Sequence, residues 1–428
     1  MRSTLVKEET KSLRRSALWR NRDFMLLWSG QAVSSLGTAI TQTAYPLLVW
    51  DLSHSAALVG LVGAMGTVPY ICLSLIVGAL IDRWDRKRVM ILCDAGRALN
   101  LGSVLVAMLL GHLTIAQICA NTLIEGTCYV FFNLAEVSCL PRVVGKEQLP
   151  LATSQNEATM GTTVLVGPAL GGALYTLSQF VPFWGDATSY VVSVITLSFI
   201  RVPFQEERQV DQQRKLLAEI REGLSWLWHQ PLIRYIAFLT GGCNFVGAGL
   251  LPVLLVLVKQ QHGSSLVYGT ILTIGGIGAI VGSLLGAPIQ RRFRFGLVII
   301  GTIWLEALCF PLYAIAPNPL LLGVISACLF VAGPIYNVVQ FSYRLSLIPD
   351  ELQGRVNSVF RLLAFGFQPF GFALTGLLIQ WFHVVPAILF LSACALLLAI
   401  LTSVNKQVIK AGRNQGSLLP PSNEPTDR

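Results

Sequence analysis

Gly78-Ala79-Leu80-Ile81-Asp82-Arg83-Trp84-Asp85-Arg86-Lys87-Arg88 puts six charges into seven positions between two long apolar runs, in a chain of 428 residues of which only 12% are charged. A single Asp, Arg or Lys at mid-depth in hydrocarbon costs roughly 2.5–3.5 kcal/mol, so Asp82 to Arg88 is an aqueous loop and the runs on either side end there. Working outward, 54% of the residues are hydrophobic and mean hydropathy is +0.63. They gather in runs of about twenty, the length that crosses a bilayer. Bounded by charge, Pro or Asn, these runs predict an all-α integral membrane protein with twelve transmembrane helices, near 24–50, 57–81, 89–110, 115–139, 153–177, 182–200, 233–258, 266–289, 296–315, 320–343, 356–380 and 384–404.

Lys and Arg are retained on the cytosolic side of short loops. Seven of the 31 precede the first run and four follow the second; the others fall in 140–148, 201–234, 291–294, 344–361 and 406–428, apart from Arg97 inside run three. The opposite side carries only Lys259. Both termini are therefore expected in the cytosol, in a multi-pass protein of the cell (inner) membrane. The formal charge of +9 follows from this topology and suits anionic inner-leaflet lipid, without implying nucleic acid. All nine cysteines lie in or at the ends of apolar runs, with no CxxC or zinc spacing, so no metal site is expected. Residues 1–23 are basic, but the run after them is too long for a signal-peptide core and reads as uncleaved.

The chain repeats itself. At an offset of 208, Gly78-Ala79-Leu80-Ile81-Asp82-Arg83 meets Gly286-Ala287-Pro288-Ile289-Gln290-Arg291; at an offset of 200, Gly171, Ala173, Leu174 and Leu177 meet Gly371, Ala373, Leu374 and Leu377. Two six-helix bundles in parallel register, with a binding site between repeats, is the arrangement of a rocking transporter. The expected parts are a basic cytosolic N-terminus (1–23), an N-terminal six-helix bundle (24–200), a cytosolic connector with an amphipathic interfacial helix (201–232), a C-terminal six-helix bundle (233–404) and a polar, disordered cytosolic tail (405–428).

Gly78, Asp82, Arg83, Arg86 and Lys87 resemble the G-x-x-x-D-R-x-x-R-K signature that follows the second span in the major facilitator superfamily. Asp94 and Arg97, Glu222-Gly223-Leu224 to Pro231, Ile348-Pro349-Asp350-Glu351-Leu352 and Gly354-Arg355-Val356 are similar to its macrolide-efflux branch of drug:proton antiporters. Gly167-Pro168-Ala169-Leu170-Gly171-Gly172 resembles an exporter-type motif, although Gly167-xxx-Gly171 is also a general close-packing pattern. The resemblance implies a major facilitator fold, with the Gly78, Asp82, Arg83, Arg86 and Lys87 motif stabilising the outward-facing state. Physically, Asp82 can accept hydrogen bonds at the positive start of the eleventh helix and latch a cytosolic gate, while Arg83, Arg86 and Lys87 hold acidic partners across the seam.

Candidate pathway residues follow from polarity inside apolar runs. Gln31, Ser35, Thr38, Gln42 and Tyr45 recur at helical spacing in the first span and are read as lining a cavity, with packing as the alternative. Glu125 and Glu136 share a face of span four, near Tyr129 and Asn133. A mid-span acid is costly ionised and cheaper protonated, so Glu125 is the first candidate for proton coupling and Asp94 the second, with Asp94 also placed to pair with Arg97 three residues on. Glu136 is expected to be salt-bridged, and Asp186 and Glu306 to be structural on peripheral helices. In the second half Asn244, Tyr336, Asn337, Gln340, Arg361 and Gln368 are the cavity candidates, with Arg361 close to the cytosolic end.

No P-loop, zinc-protease or catalytic-triad pattern occurs, so neither enzyme activity nor a cofactor is expected. The leading expectation is a monomeric, proton-coupled exporter of amphipathic small molecules, embedded in the lipid bilayer. The alternatives are a dedicated siderophore, secondary-metabolite or lysophospholipid transporter and, from another class, a non-transporting receptor or assembly factor on the same fold.

Overall fold

A computed structural model describes residues 18–81, 84–145, 147–202, 204, 216–349 and 352–411. Asp82, Arg83, most of the N-terminal and C-terminal tails and much of the connector lie outside the described residues, and so does the latch expected of Asp82.

With no water to satisfy backbone N–H and C=O groups in hydrocarbon, apolar runs must close their hydrogen bonds internally. The described runs do so as α1 (Arg22–Ser53), α2 (Ala56–Ile81), α3 (Arg86–Leu109), α4 (Ile115–Val143), α5 (Leu149–Leu177) and α6 (Val181–Phe199), then α7 (Leu216–His229), α8 (Pro231–Gln260), α9 (Ser265–Arg292), α10 (Phe295–Cys309), α11 (Pro319–Leu347), α12 (Gln353–Gly366), α13 (Gln368–Phe382), α14 (Val384–Val404) and α15 (Lys406–Lys410). Ten helical segments among the described residues are long and apolar enough to cross a membrane, α12 and α13 counting as one. The helices at the first and sixth expected positions, α1 and α6, are not among the ten, because polar residues dilute their hydropathy: Gln31, Thr38 and Gln42 in one, Asp186, Ser189 and Thr196 in the other.

Proline reshapes two expected spans from within. The eleventh, expected as one helix, breaks at Phe367, two residues before Pro369, whose ring excludes the helical backbone behind it and removes a donor. The ninth tightens into a 3-10 turn over Phe310–Ile315, with Pro311 at its start. Elsewhere short polar side chains start the helices. Asn21 accepts from Phe24 N (3.1 Å), Asp85 from Arg88 N (3.1 Å), Thr114 from Gln117 N (3.2 Å) and Asn318 from Leu321 N (2.9 Å).

The chain forms two compact units. The first holds residues 1–216 together with 248–273 and 368–381. At the Arg88 end of its helices Phe24, Met90, Val130, Phe132, Cys139 and Leu197 form a buried apolar cluster. At the Asp51 end, glycines bring backbones together: a Cβ on Gly376 of α13 would sit 2.6 Å from Ala56 O and 3.1 Å from Gly60 Cα, and one on Gly172 of α5 would collide with Ser265 and Gly269 of α9. Ala64, Ala248 and Phe372 close over one another in the same unit.

The second unit holds residues 217–247, 274–367 and 382–428. Hydrogen bonds cross its helices at Thr240 and Tyr336 (2.7 Å), Tyr235 and Thr402 (2.9 Å), Trp304 and Ser403 (2.8 Å) and Tyr313 and Ser326 (2.8 Å). α7 is tied to α12 by the Glu222–Arg355 ion pair.

Candidate functional site

Three helices of the first unit, α3, α4 and α6, meet at Arg97, and α1 joins them through Tyr190. The Arg97 side chain is 4% exposed and lies between two acids, with Nη1 3.6 Å from Asp94 Oδ1 and Nε 3.2 Å from Glu125 Oε1. Length in the first case and angle in the second make these ion pairs rather than hydrogen bonds: Arg97 Nε and Nη2, both Asp94 oxygens and Glu125 Oε2 are buried without a hydrogen-bond partner. The rings of Tyr190, Phe132 and Tyr129 surround the guanidinium at 5.2, 5.6 and 5.7 Å from their centroids. They receive its charge on their faces.

Tyr190 extends the network. Its hydroxyl donates to Glu125 Oε1 over 2.8 Å and lies 2.8 Å from Thr38 Oγ1, which is 3.0 Å from Ser34 O. The hydrogens in this chain can be arranged in two ways. Without a proton on Glu125, Tyr190 donates to the carboxylate; with one, Glu125 can donate to Tyr190, Tyr190 to Thr38 and Thr38 to Ser34 O. Two carboxylates, Asp94 and Glu125, face one guanidinium in this buried site. Asp186, 2% exposed and 3.2 Å from Ser189 Oγ, lies deeper along the α1–α6 contact.

Below this layer α3 and α4 are clamped by reciprocal amides: Asn100 Nδ2 donates to Asn121 O and Asn121 Nδ2 to Asn100 O, each at 2.9 Å. Tyr45 donates to Asn121 Oδ1 and carries α1 into the same clamp. The five polar residues of the first span therefore divide. Gln31 (3.4 Å to Ser193 Oγ), Thr38 and Tyr45 bond to neighbouring helices, as the packing alternative has it, whereas Ser35 and Gln42 are exposed. Two expectations change. Glu136 makes no ion pair among the described residues, and α6, expected at the periphery, supplies Tyr190 and Ser193 to the buried network.

Of the other candidates in the first unit, Tyr129 joins the Arg97 cluster. Tyr129 is 45% exposed with its ring on Arg97, and Asn133 is half-buried one turn further on. In the second unit Asn244 Nδ2 donates to Ala364 O over 2.7 Å, Asn337 is exposed, and Gln340 is buried with Oε1 unpartnered. Gln368, at the start of α13 in the first unit, is half-buried. Of the signature residues that are described, Gly78 has open space where a Cβ would stand, and Arg86 donates to Ser138 O over 3.0 Å. Lys87 donates to Ser198 O (3.2 Å) and Ile200 O (2.7 Å), the negative C-terminal end of α6, where an acidic partner had been expected. Gly167 and Gly171 of the exporter-type motif seat α5 on Ala39, Ile40 and Thr43 of α1; Pro168 O faces Gly269 and Gly172 faces Ser265.

At the Asp51 end, Tyr175 donates to Asp51 Oδ2 over 2.9 Å and Lys259 Nζ lies 3.1 Å from Asp51 Oδ1. The sequence reading had isolated Lys259 by its side of the membrane but had not linked it to Asp51 or Tyr175.

A family model described as transmembrane secretion effector matches residues 15–425. The chain is 28% identical over 367 residues to the multidrug efflux pump Tap of Mycolicibacterium fortuitum, covering 82% of this chain and 88% of that one. It is 24% identical over 359 residues to macrolide efflux protein A of Streptococcus pyogenes, at 83% and 88% coverage. Among solved structures, the nucleoside transporter NupG aligns with a TM-score of 0.71 at 16% identity over 91% of this chain and 99% of that one. A bacterial homologue of the iron transporter ferroportin, in its inward-facing state, aligns with a TM-score of 0.72 at 14% identity over 89% and 98%.

Proposed function

Since the chain belongs to the transmembrane secretion effector family of the major facilitator superfamily, we propose that it is a secondary active exporter of amphipathic small molecules, driven by protons and working by alternating access. It is a multi-pass protein of the plasma membrane, and its family is one of transporters. In this reading the chain crosses twelve times with both termini in the cytosol, residues 24–200 and 233–404 are the two six-helix bundles, and the Gly78–Arg88 loop is the cytosolic latch. The relatives named for multidrug and macrolide efflux support amphipathic drugs as cargo.

Proton coupling rests on one observation: Arg97 lies between Asp94 and Glu125, with Tyr190 and Thr38 relaying from Glu125. An arginine fully neutralised by one acid would have no use for a proton; with two acids, the site alternates between balanced and unbalanced charge as one proton comes and goes. A proton moving inward through 100 mV supplies roughly 2.3 kcal/mol, enough to hold about a fifty-fold concentration ratio.

The test uses purified protein in liposomes with a macrolide as cargo. Wild type should accumulate the drug against its gradient when a pH gradient is imposed. Glu125→Gln, which holds the network in its neutral form, should keep downhill exchange and lose the response to the pH gradient. Uphill accumulation by Glu125→Gln equal to wild type would remove Glu125 from coupling.

A further inference from the structure

The second unit also buries an arginine, under opposite conditions. Arg344, in the last turn of α11, is 4% exposed, as buried as Arg97. Its Nε and Nη1 are buried without a hydrogen-bond partner, and no carboxylate among the described residues pairs with it. What it touches is aromatic: the guanidinium stands 3.7 Å from the centroid of Phe360 and 5.2 Å from that of Phe341. On α12 a second arginine, Arg361, directly follows the Phe360 that Arg344 touches, and it is exposed. At the offset of 208 that aligns the two halves, Arg344 takes the position of the acid Glu136.

Ring faces and a helix C-terminus offset part of the charge on Arg344, but neither fills the two orphaned donors. A planar guanidinium with free N–H groups and a second cation beside it matches the paired oxygens of a carboxylate or phosphate. Phe341 is 47% exposed, which leaves apolar surface next to the charge.

We infer that Arg344 and Arg361 form a receiving site for the carboxylate or phosphate of an amphipathic molecule, whose apolar part lies along Phe341. That anion belongs either to cargo or to the headgroup of a bilayer lipid. The cargo source rests on the exporter reading above, whereas the anion site itself does not.

The experiment titrates full-length protein in phosphatidylcholine nanodiscs with dodecyl phosphate, using calorimetry with empty nanodiscs subtracted and dodecanol as the neutral control. Arg344→Gln should bind dodecyl phosphate about tenfold more weakly than wild type. Arg344→Lys, which keeps the charge but loses the fork, should fall between them, Arg361→Gln should also weaken binding, and Arg291→Gln should bind as wild type. Equal binding by Arg344→Gln and wild type, or dodecanol binding as tightly as dodecyl phosphate, overturns the site. Should Arg344→Gln fail to fold, unchanged binding in both Arg344→Lys and Arg361→Gln overturns it as well. The source is read by adding phosphatidylglycerol to the nanodiscs. Competition that depends on Arg344 assigns the site to a lipid headgroup, and undiminished dodecyl phosphate binding assigns it to a soluble amphipathic anion. Because no transport step is measured, this result is independent of whether Glu125 couples protons.

Discussion

Lys259 at the end of α8 forms an ion pair with Asp51 at the end of α1, Nζ to Oδ1 at 3.1 Å, while Tyr175 of α5 donates to the other carboxylate oxygen at 2.9 Å. Three helices far apart in sequence thus meet on one carboxylate. In the proposed orientation this end faces away from the cytosol, where a gating role for the pair can be tested.

Both partners are part-exposed, 25% for Lys259 and 39% for Asp51, so the pair is worth about 1 kcal/mol or less. In a chain of this size that moves Tm only slightly, but it is enough to change the population of a two-state gate about fivefold. Lys259→Met is therefore expected to leave Tm nearly unchanged and to speed labelling of Ser55→Cys by an impermeant maleimide added from outside. Equal labelling with and without Lys259 would show that the pair has no gating role.

Tyr190→Phe keeps the ring beside Arg97 and deletes the hydroxyl that joins Glu125 to Thr38. Hydrogen bonds to charged groups are worth about 1.5–3 kcal/mol. Transport driven by a pH gradient should fall roughly ten- to hundredfold on that scale, while drug binding at fixed pH should change little. Flux measured at one fixed gradient decides it, and a variant with wild-type flux would exclude the hydroxyl relay.

Gly376→Leu forces a side chain into backbone: its Cβ alone would stand 2.6 Å from Ala56 O and 3.1 Å from Gly60 Cα. Overpacking of this kind costs about 1–3 kcal/mol or more, so a lowered Tm in detergent is expected. Gly102→Ala, with nothing within 4 Å of the added carbon, is the matched control and should melt as wild type.

Asn121→Ala removes the donor to Asn100 O and the acceptor of Tyr45. Interhelical hydrogen bonds in membranes average about 0.6 kcal/mol each, so a loss near 1 kcal/mol is expected. Tyr45→Phe, which removes only the bond to Asn121 Oδ1, should lose about half as much in a thermal melt.

Much of the fold was legible in the chain because hydrocarbon is an unforgiving solvent. Runs such as 57–81 and 384–404 can only be helices there, and Asp82 to Arg88 can only be outside it. The pairing of Asp94 with Arg97 was also readable, since both lie on one helix three residues apart. Tyr190 was not singled out: a tyrosine in an apolar run carries no periodic signal, and its role arises because α6 sets it against Glu125, 65 residues earlier. The break at Phe367 was foreshadowed by Pro369, yet the hydropathy of the run concealed it.

By itself, then, the order of residues determined where helices begin and end and which segments meet water, because those choices depend on local transfer free energies and on backbone groups satisfied within a few residues. Only the packed chain decided that Arg97 has two acids and Arg344 none among the described residues, that Thr38 and Tyr45 are used between helices while Gln42 is left exposed, and that Lys259 finds Asp51. Charge compensation and hydrogen-bond partnership act over a few ångströms in space, and sequence distance carries no record of them.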